Sequence, residues 1–391
     1  MLKNKKILIG VTGGIAIYKV LDLISKLKKL DVEVRVIMTE SAQKLVSKTI
    51  FETLSREKAY TDTFELIDSS KVTHIELARW ADYFLIAPAS ANTISKLSYG
   101  LADNLLTTTL LAFNRYEDLF IAPTMNTQML INPATQENLR KLVDRGVNLI
   151  QANSGFLACN EYGEGRMAEP NEIIDFLDMH SYNKDLIGKK ILVTAGPTIE
   201  KLDPVRYISN FSSGKMGYAI AKAARDRGAE VTLISSNVKL EDIEYVKTIK
   251  TSTFTELKFA IEENFDSTDY LIMASAPSDF KVKNFSENKI KKINGYNFKF
   301  EENEDLIKYF ASKKTNQKVI GFAAETNDLL VNAKKKLINK KLDMIVANDV
   351  SKEGAGFNTE TNIITIIKND YIENLEKDTK YNLAHKILDR I

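Results

Sequence analysis

The chain of 391 residues has little of what secreted or membrane proteins depend on. It contains a single cysteine, Cys159, so no internal disulfide can form, and a lone thiol fits a reducing compartment. No apolar run approaches the roughly 18 residues that span a bilayer. The basic start MLKNKK leads into a glycine-broken strand instead of a signal-peptide core. We therefore expect a cytoplasmic protein that does not enter a membrane.

The chain also lacks an excess of either charge. Lys plus Arg number 54 and Asp plus Glu number 52, which gives a formal net charge of +2. Nucleic acid binding depends on a basic surface that neutralises phosphates. A chain with a net charge this close to zero has no overall positive field to attract a polyanion. We therefore expect no nucleic acid partner.

Strands that alternate with helices fill both halves of the sequence. Short apolar runs occur at residues 7–11, 32–38, 83–87, 119–122 and 147–151, and again at 191–195, 231–235, 270–274, 319–323, 344–347 and 363–367. This alternation predicts the α/β class, with two Rossmann-like domains, each a mainly parallel sheet with helices on both faces. We place the domains at residues 1–180 and 189–391. The polar stretch 181–188 is the predicted linker.

Residues 190–217, KILVTAGPTIEKLDPVRYISNFSSGKMG, have an echo in residues 6–14, KILIGVTGG. Each copy reads as a buried strand that runs into a glycine-bearing turn and then a helix, a natural anion site. GVTGG lacks the third glycine of the dinucleotide fingerprint, and TAGPT has a proline where that fingerprint needs close backbone approach. Neither copy has the P-loop pattern. A nicotinamide enzyme and a P-loop NTPase are therefore both disfavoured.

Three polar residues near predicted strand ends are ambiguous when each is taken alone. His74, one of three histidines, is either a structural residue or a catalytic one. Asn126 follows a strand and is either a helix cap or a ligand. Cys159 alone would be a small core residue, but the polar, glycine-punctuated residues 160–166 beside it are typical of a lid.

Motifs in both halves resemble two known enzyme families. PTMN (123–126), LACNEYGEGRM (157–167) and PASANTISKL (88–97) with ADNLL resemble the flavin-dependent cysteine decarboxylases. TAGPT, DPVRYISN, SSGKMG, KIKK (289–292), FAAET and IVAND resemble the phosphopantothenate-cysteine ligases. Fused in this order, the two halves resemble the bifunctional enzymes of bacterial coenzyme A biosynthesis over nearly the whole chain.

For the first half, the resemblance implies a flavodoxin-like flavoprotein that decarboxylates 4′-phospho-N-pantothenoylcysteine with FMN. It implies that His74 acts as base or orienter, that Asn126 binds the substrate carboxylate, and that Cys159 supplies a proton. The residues expected to line the FMN are Gly13, Gly14, Thr39, Ser90, Asn92, Thr93 and Thr124.

For the second half, the resemblance implies that CTP and Mg²⁺ activate 4′-phosphopantothenate as an acyl-cytidylate, which cysteine then attacks. Asn210 is the expected catalytic residue and, with Arg206, holds the acyl-cytidylate. Asp279 is the expected metal or CTP ligand. Residues 281–300 show neither helical nor strand periodicity and form a predicted mobile arm, from which Lys289, also expected to be catalytic, would clamp the triphosphate. Phe322, Lys336 and Lys340 are the further expected CTP contacts. Without the resemblance, the KIKK lysines would be a solvated strand face.

The resemblance also implies a homo-oligomer of trimeric decarboxylase units joined by ligase dimers. The alternative function is a flavin-binding regulatory relative that has lost one or both activities. The joint presence of His74, Asn126 and Cys159 favours the enzyme.

Overall fold

The computed structural model describes residues 2–64, 72–156, 162–291, 298–325, 328–349, 356 and 358–391. The chain divides into two compact units, Met1–Ser181 and Tyr182–Ile391. Residues of the predicted linker pack within the second unit: Lys184 Nζ donates to the carbonyl of Asp226 at 2.6 Å, and the Leu186 amide donates to the carbonyl of Arg227 at 3.0 Å. In the part of the chain that the structure describes, no helix is both long and apolar enough to cross a bilayer.

The first unit is built on a parallel sheet. Its strands are β1 (Lys6–Val11), β2 (Glu33–Met38), β3 (Ala59–Tyr60), β4 (Tyr83–Ala89), β5 (Leu119–Pro123) and β6 (Asn148–Leu149), followed by an antiparallel hairpin of β7 (Asn153–Phe156) and β8 (Tyr162–Arg166). Its helices are α1 (Ile17–Lys29), α2 (Glu40–Gln43), α3 (Lys48–Ser55), α4 (Thr73–Trp80), α5 (Ala91–Tyr99), α6 (Leu105–Ala112), α7 (Thr127–Ile131), α8 (Pro133–Asp144) and α9 (Pro170–His180), with a 3-10 helix at Tyr116–Asp118.

The second unit repeats this plan and extends it. Its strands are β9 (Lys190–Ala195), β10 (Ile199–Lys201), β11 (Tyr207–Ser209), β12 (Glu230–Ser236), β13 (Lys247–Thr251), β14 (Tyr270–Met273), β15 (Phe280–Val282), β16 (Phe300–Glu302), β17 (Lys318–Glu325), β18 (Met344–Asp349), β19 (Thr361–Lys368) and β20 (Tyr371–Thr379). Its helices are α10 (Lys215–Asp226), α11 (Phe254–Phe265), α12 (Leu306–Lys313), α13 (Leu329–Asn339) and α14 (Lys380–Leu388).

The strand orders confirm the prediction of two Rossmann-like units. The described strands of the first sheet run β3-β2-β1-β4-β5-β6, and those of the second run β13-β12-β9-β14-β17-β18-β19-β20. The last two, β19 and β20, are antiparallel, so the sheet is mainly parallel, as expected. The first order is that of dinucleotide-binding folds, which corrects the flavodoxin-like topology expected for this half.

Central strands are apolar because helices cover both faces of each sheet. All of β4 is buried, and its residues alternate between two hydrophobic clusters, one on each face. Helix α1 places Ile17, Val20, Leu23 and Leu27 on the buried side at helical spacing. The ends of the predicted mobile arm differ from expectation, because Phe280–Val282 and Phe300–Glu302 pair as antiparallel strands.

The same pair of Lys–Asp hydrogen bonds occurs at the amino-terminal end of the central strands in both units. The Lys6 amide donates to the Asp82 carboxylate at 2.8 Å and the Asp82 amide returns a bond to the Lys6 carbonyl at 2.8 Å. In the second unit Lys190 and Asp269 exchange equivalent bonds of 2.7 and 2.9 Å. These reciprocal bonds fix the register of each central strand pair at its amino-terminal end.

A buried charge network joins α10 to α14 and yields a stability prediction. Asp226 accepts from Arg225 Nε and Nη2 at 2.8 and 2.6 Å, and from the Tyr381 hydroxyl.

Tyr381→Phe removes a hydrogen bond to a buried carboxylate, so the free energy of opening of α14 should fall by about 1.5–3 kcal/mol. Native-state hydrogen exchange of α14 peptides measures it. The control is Tyr371→Phe, whose exposed hydroxyl bonds Glu373 and should change opening by less than about 0.5 kcal/mol. Equal effects of the two variants would contradict the prediction.

Candidate active sites

A threonine joins the two central strands of the first sheet where their connections diverge. The Thr12 hydroxyl donates to the Pro88 carbonyl at 2.7 Å and accepts from the Ser90 amide at 3.1 Å, and it is buried. Because the strand order reverses between β1 and β4, a crevice opens at this point outside their carboxyl ends. Thr12 therefore holds the glycine turn and the start of α5 on opposite sides of the crevice.

The crevice is a cleft of about 560 Å³, which is large enough for a cofactor. Five of the predicted residues line it: Gly13, Gly14, Ser90, Thr124 and Asn126. The remaining lining residues are Ile15, Ala16, Tyr18, Lys19, Ala91, Met125, Met129, Phe156, Gly165, Arg166 and Met167. The cleft is called the flavin cleft below.

Two features of the flavin cleft fit a bound flavin. The Thr124 hydroxyl oxygen is buried and has no hydrogen-bond partner among the described residues, so it is available to a ligand. A Cβ on Gly13 would lie 2.5 Å from Ser41 Cβ, and one on Gly14 would lie 3.3 Å from Pro88 Cγ. The glycine turn thus brings bare backbone to the cleft where a side chain would not fit.

Three residues predicted to line the flavin are not among the described residues that line this cleft. Thr39 caps α2, and its hydroxyl accepts from the Ala42 amide at 3.3 Å. Thr93 is buried, and its hydroxyl lies 3.2 Å from that of Ser90. Asn92 lies on the exposed side of α5. The pattern located the strand-end segments, but it did not separate the residues that face the crevice from those that cap the helices.

Asn126 is a helix cap, as one of its two readings predicted, and its position leaves the ligand reading a prediction. Its Oδ1 accepts from the Gln128 amide at 2.8 Å and caps α7, while the residue also lines the cleft. His74 lies on α4, is not among the described lining residues, and has a buried Nδ1 without a hydrogen-bond partner in the described part of the chain. Cys159 falls at residues 157–161, outside the described residues.

Glycines let the β7–β8 hairpin lie directly against the Asn126 segment. The Met125 amide donates to the Gly165 carbonyl at 3.1 Å, and Gly165 has a φ of +135°. A Cβ on Gly165 would lie 2.2 Å from the Met125 carbonyl oxygen, and one on Gly163 would lie 2.3 Å from the Thr127 hydroxyl. Strand β8, which follows Cys159 in the sequence, therefore lies beside Asn126.

Lys19 is a residue of the flavin cleft that the sequence did not reveal. Its ammonium donates to the Met167 carbonyl at 2.9 Å and to the Glu169 carboxylate at 2.8 Å. Arg166 contributes a second cation, 3.3 Å from the same carboxylate. A lysine inside the apolar stripe of α1 was the available signal, because burial of an ammonium requires partners.

In the second unit a threonine within β9, Thr194, also links the two central strands. Its hydroxyl donates to the Ser275 hydroxyl at 2.7 Å and accepts from the Ser275 amide at 3.2 Å. The strand order reverses here between β9 and β14, so a crevice again opens at the carboxyl ends.

Two adjoining clefts of about 460 Å³ each lie at this crevice and share Ser275, Asp279 and Phe322. The first, the lysine cleft, brings together the predicted residues Asp279, Phe322, Lys336 and Lys340. The second, the anion cleft, is lined by Asn210, by residues 211–216 at the start of α10, and by Ala274, Ala276, Ala324, Asn348, Gly356, Asn362 and Lys380. Four of the predicted CTP residues are therefore neighbours, and Asn210 lies in the adjoining cleft.

Asn210 holds one wall of the anion cleft. Its Nδ2 donates to the Ala276 carbonyl at 3.3 Å and to the Pro277 carbonyl at 3.1 Å. Gly214, with a φ of +76°, precedes α10, and Gly214, Lys215 and Met216 line the cleft. A helix N-terminus at this place favours an anion. A Cβ on Gly217 would lie 2.6 Å from Ala195 Cβ, so only glycine lets α10 start this close to β9.

Arg206 and Lys289 do not line either cleft among the described residues. Arg206 Nε donates to the buried Asp203 carboxylate at 2.9 Å, and its Nη2 donates to the Ile290 carbonyl at 2.8 Å. The Arg206 guanidinium holds the pKa of Asp203 well below its usual range. Arg206 thus ties residue 290 to the Asp203 turn, while Lys289 beside it is exposed.

The comparisons with known proteins cover the whole chain. A family model described as Flavoprotein matches residues 1–181, and one described as DNA/pantothenate metabolism flavoprotein C-terminal domain matches residues 186–391. The Coenzyme A biosynthesis bifunctional protein CoaBC of Bacillus subtilis is 42% identical over 397 residues, which covers 100% of this chain and 97% of that protein. The chain belongs to this family of bifunctional coenzyme A biosynthesis proteins.

Two solved structures are similar to single halves of the chain. The C-terminal domain of a CoaBC protein is 37% identical and covers 54% of this chain and 96% of its own, with a TM-score of 0.46. The FMN binding protein AtHal3 is 38% identical and covers 45% of this chain and 95% of its own, with a TM-score of 0.40.

Membership of the CoaBC family assigns an activity to each unit. The chain is an enzyme of coenzyme A biosynthesis whose first unit is a flavoprotein decarboxylase and whose second unit is a ligase. The flavin cleft belongs to the decarboxylase, and the lysine and anion clefts belong to the ligase. The substrates of such an enzyme are small molecules.

The unpartnered Thr124 hydroxyl predicts opposite effects on protein stability and on FMN affinity when it is removed. Thr124→Val removes a buried hydroxyl that lacks a protein partner, so the stability of the flavin-free protein should stay level or rise. The dissociation constant for added FMN should rise about fivefold to tenfold, because one hydrogen bond is lost. Fluorescence titration of FMN into flavin-free protein measures it. The control, Thr109→Val, removes a buried hydroxyl that donates to the Leu105 carbonyl at 2.7 Å and should lower stability without changing FMN affinity. Unchanged FMN binding by Thr124→Val would refute the assignment of its hydroxyl.

Proposed function

We propose that this chain carries out two consecutive steps of coenzyme A biosynthesis. The second unit joins 4′-phosphopantothenate to cysteine at the expense of CTP, and the first decarboxylates the resulting 4′-phospho-N-pantothenoylcysteine to 4′-phosphopantetheine. The observation that supports the proposal is that several motif residues of each half line clefts at the switch point of their own sheet. They are Gly13, Gly14, Ser90, Thr124 and Asn126 in the first half and Asn210, Asp279, Phe322, Lys336 and Lys340 in the second. The reducing environment that a lone cysteine favours makes the cytoplasm the proposed location.

FMN is the proposed cofactor of the decarboxylase. When bound, FMN supplies the hydride acceptor and donor that let carbon dioxide leave a saturated carbon. Gly13, Gly14, Ser90 and Thr124 would hold it in the flavin cleft, the glycines by backbone contact and Thr124 by its unpartnered hydroxyl. Thr39, Asn92 and Thr93 would support these segments as helix-start residues.

Three side chains of the chain carry the proposed proton and binding roles. Asn126 binds the substrate carboxylate through its amide, since its Oδ1 already accepts from Gln128. Cys159 gives the proton that converts the enethiolate carbon to a saturated one, and the thiolate is reprotonated from water. His74 handles the substrate thiol or carboxylate as base or orienter.

A homo-oligomer is proposed because His74 does not line the flavin cleft of its own chain among the described residues. Large apolar side chains stand exposed around that cleft, among them Ile15, Tyr18 and Phe156 at 69, 60 and 75% exposure. Trimeric decarboxylase units would cover this surface and bring His74 of a second copy to Asn126. Ligase dimers would join the trimers.

For the ligase we propose that CTP lies in the lysine cleft with Lys336, Lys340 and Phe322, and that Lys289 reaches its triphosphate from the arm. No cluster of three or more His, Cys, Asp or Glu side chains suited to a metal occurs among the described residues. Mg²⁺ commonly binds one or two carboxylates together with substrate phosphates, so Asp279 suffices as its protein ligand. Asn210 and Arg206 then hold the acyl-cytidylate, Asn210 in the anion cleft and Arg206 through the Asp203 turn.

The test of the decarboxylase is a coupled assay of the holoenzyme with 4′-phosphopantothenate, cysteine, CTP and Mg²⁺, followed by mass. The wild type should be yellow and release 4′-phosphopantetheine. Cys159→Ser should stop after loss of carbon dioxide and accumulate the oxidised enethiol, because a serine hydroxyl is a far weaker acid than a thiol. A colourless protein with full decarboxylase activity, or normal product from Cys159→Ser, would overturn the proposal.

The test of the ligase is Asn210→Asp. An aspartate cannot donate to the Ala276 and Pro277 carbonyls and places a negative charge beside them, so the wall that holds the activated acyl group should shift. We expect the variant to accumulate acyl-cytidylate with CTP and Mg²⁺ and to lose at least about tenfold in amide formation. Quenched reactions resolved by mass measure both species. Normal amide product without trapped cytidylate would contradict the assignment.

A further inference from the structure

Asp203 lies in the connection between β10 and β11, and the two oxygens of its carboxylate bond different parts of the chain. The residue is 1% exposed. Oδ1 accepts from the amides of Val205 and Arg206, both at 2.8 Å, and so shapes the turn itself. Oδ2 accepts from Arg206 Nε at 2.9 Å, from Arg206 Nη2, and from the Ile290 amide at 3.1 Å. One oxygen therefore serves the turn, while the other bonds a residue that is distant in sequence.

The arm is docked against this turn at two points. Arg206 Nη2 donates to the Ile290 carbonyl at 2.8 Å, so the guanidinium bonds both the buried carboxylate and the arm. The Ser286 amide donates to the Leu202 carbonyl at 3.2 Å. Residues 283–291 are therefore held beside the turn at positions 286 and 290, and they are called the docked arm below.

The described ends of the arm both lie at the lysine cleft. Strands β15 and β16 pair there, and the Lys283 amide extends the pairing by donating to the Lys299 carbonyl at 2.9 Å. Phe280 at the start of β15 and Glu302 at the end of β16 line the cleft. Because Lys289 is exposed and directly precedes the docked residue 290, the bonds at that residue fix the backbone that carries its ammonium.

We propose that Asp203 is a positioning residue of the ligase, whose Oδ2 docks the arm through Ile290 and Arg206 and so places Lys289 for the triphosphate of CTP. The inference rests on the proposed function, because the triphosphate contact of Lys289 is what gives the docked position its use. Docking orders the arm within the protein, which reduces the entropy that CTP binding would otherwise lose by ordering it. The Arg206 guanidinium holds the pKa of Asp203 well below its usual range, so the carboxylate keeps its charge near neutral pH.

Asp203→Asn separates the roles of the two carboxylate oxygens. The asparagine Oδ1 can still accept from the amides of Val205 and Arg206, so the turn should persist. Its Nδ2 puts a donor where the Ile290 amide and the Arg206 guanidinium, which are themselves donors, need an acceptor. The variant should therefore release the arm and keep the turn.

Hydrogen exchange of the full-length protein measures docking directly. The amides of Ser286 and Ile290 should be protected in the wild type, because each donates to the turn. Peptides that cover residues 283–291 should exchange at least about fivefold faster in Asp203→Asn. Lys289→Met should leave their exchange unchanged, because docking uses the backbone of residue 290. Wild-type amides that exchange as fast as those of an unfolded peptide would overturn the inference.

Calorimetric titration with CTP and Mg²⁺ tests whether docking acts through Lys289. Asp203→Asn and Lys289→Met should each bind about tenfold more weakly, the first because only the docked fraction binds with full affinity. The double variant should bind within about twofold of Lys289→Met, because the position of the arm no longer matters once its lysine is gone. A purely structural role of Asp203 would instead give additive losses, about a hundredfold in all.

Glu301→Gln is the matched control for these titrations. It breaks the ion pair of Glu301 with Lys281, whose charged atoms lie 3.2 Å apart at the base of the arm, and it leaves the Asp203 turn untouched. Exposed ion pairs contribute little, so this variant should bind CTP as the wild type does.

Additive losses, or normal CTP affinity in Asp203→Asn with a released arm, would overturn the role of Asp203 and leave the proposed ligase intact. Normal CTP binding by Lys289→Met would remove the triphosphate clamp and this inference together, whereas the Asn210→Asp test of the ligase stands apart.

Should Asp203→Asn fail to fold, Arg206→Lys decides. A lysine keeps the positive charge but lacks the planar fork that bonds the Asp203 carboxylate and the Ile290 carbonyl together. It should release the arm and weaken CTP binding about tenfold, again only while Lys289 is present. No acyl-cytidylate forms with CTP alone, so the proposed contact of Arg206 with that intermediate does not enter the measurement.

Discussion

Each half of the molecule depends on one buried threonine hydroxyl that joins the two central strands at their carboxyl ends. Thr12 bonds the chain that leaves β4, and Thr194 bonds the chain that leaves β14. At both places the strand order reverses, so the connections diverge and the threonine bonds help to hold the two exits together. In the second unit backbone bonds from Ala276 to Gly196 and from Thr198 to Ala276 reinforce this link. The hydroxyl both donates and accepts, which sets the width of the crevice in which each reaction takes place.

A shared scaffold with different additions explains how one architecture serves two reactions. The same reciprocal bonds, Lys6 with Asp82 and Lys190 with Asp269, start both central strand pairs. Beyond the crevice the units differ. The first adds a hairpin whose glycines lie against the Asn126 segment, and the second inserts β10 and β11 with the Asp203 turn before α10 begins. The residues that distinguish the two reactions therefore lie on the connections, and the sheets hold these connections in position.

How much the sequence predicts depends on how a segment is buried. Strands covered on both faces, such as β4 and β9, are continuous apolar runs and were found from pattern alone. The edge strands β13 and β20 were missed, because KTIKT and YIENLEKDT carry charges along an exposed edge and show no such run. The resemblance implied a flavodoxin-like first unit, and the sequence pattern could not correct this, because periodicity identifies strands but not their order.

The candidate sites were predictable in part for the same reason. Motif residues that lie at strand ends, among them Gly13, Asn126 and Asp279, do line the clefts. The orientation of a long side chain depends on partners far away in sequence, so the bond of Arg206 to Ile290 and the burial of Lys19 could not be read from spacing. Lys380 lines the anion cleft as the first residue of α14, directly after a charged edge strand, and nothing in the sequence distinguishes it from a solvated lysine.

The glycines of the β7–β8 hairpin divide that segment into parts under different evolutionary pressure. Gly163 lies against the Thr127 side chain and Gly165 against the Met125 carbonyl, both so closely that any larger residue would push the two segments apart. Natural variation at these positions would therefore be purged whatever molecule is being decarboxylated. Phe156 lines the flavin cleft, is 75% exposed and has no such contact to keep, so it could change with the cysteinyl substrate while the two glycines stay.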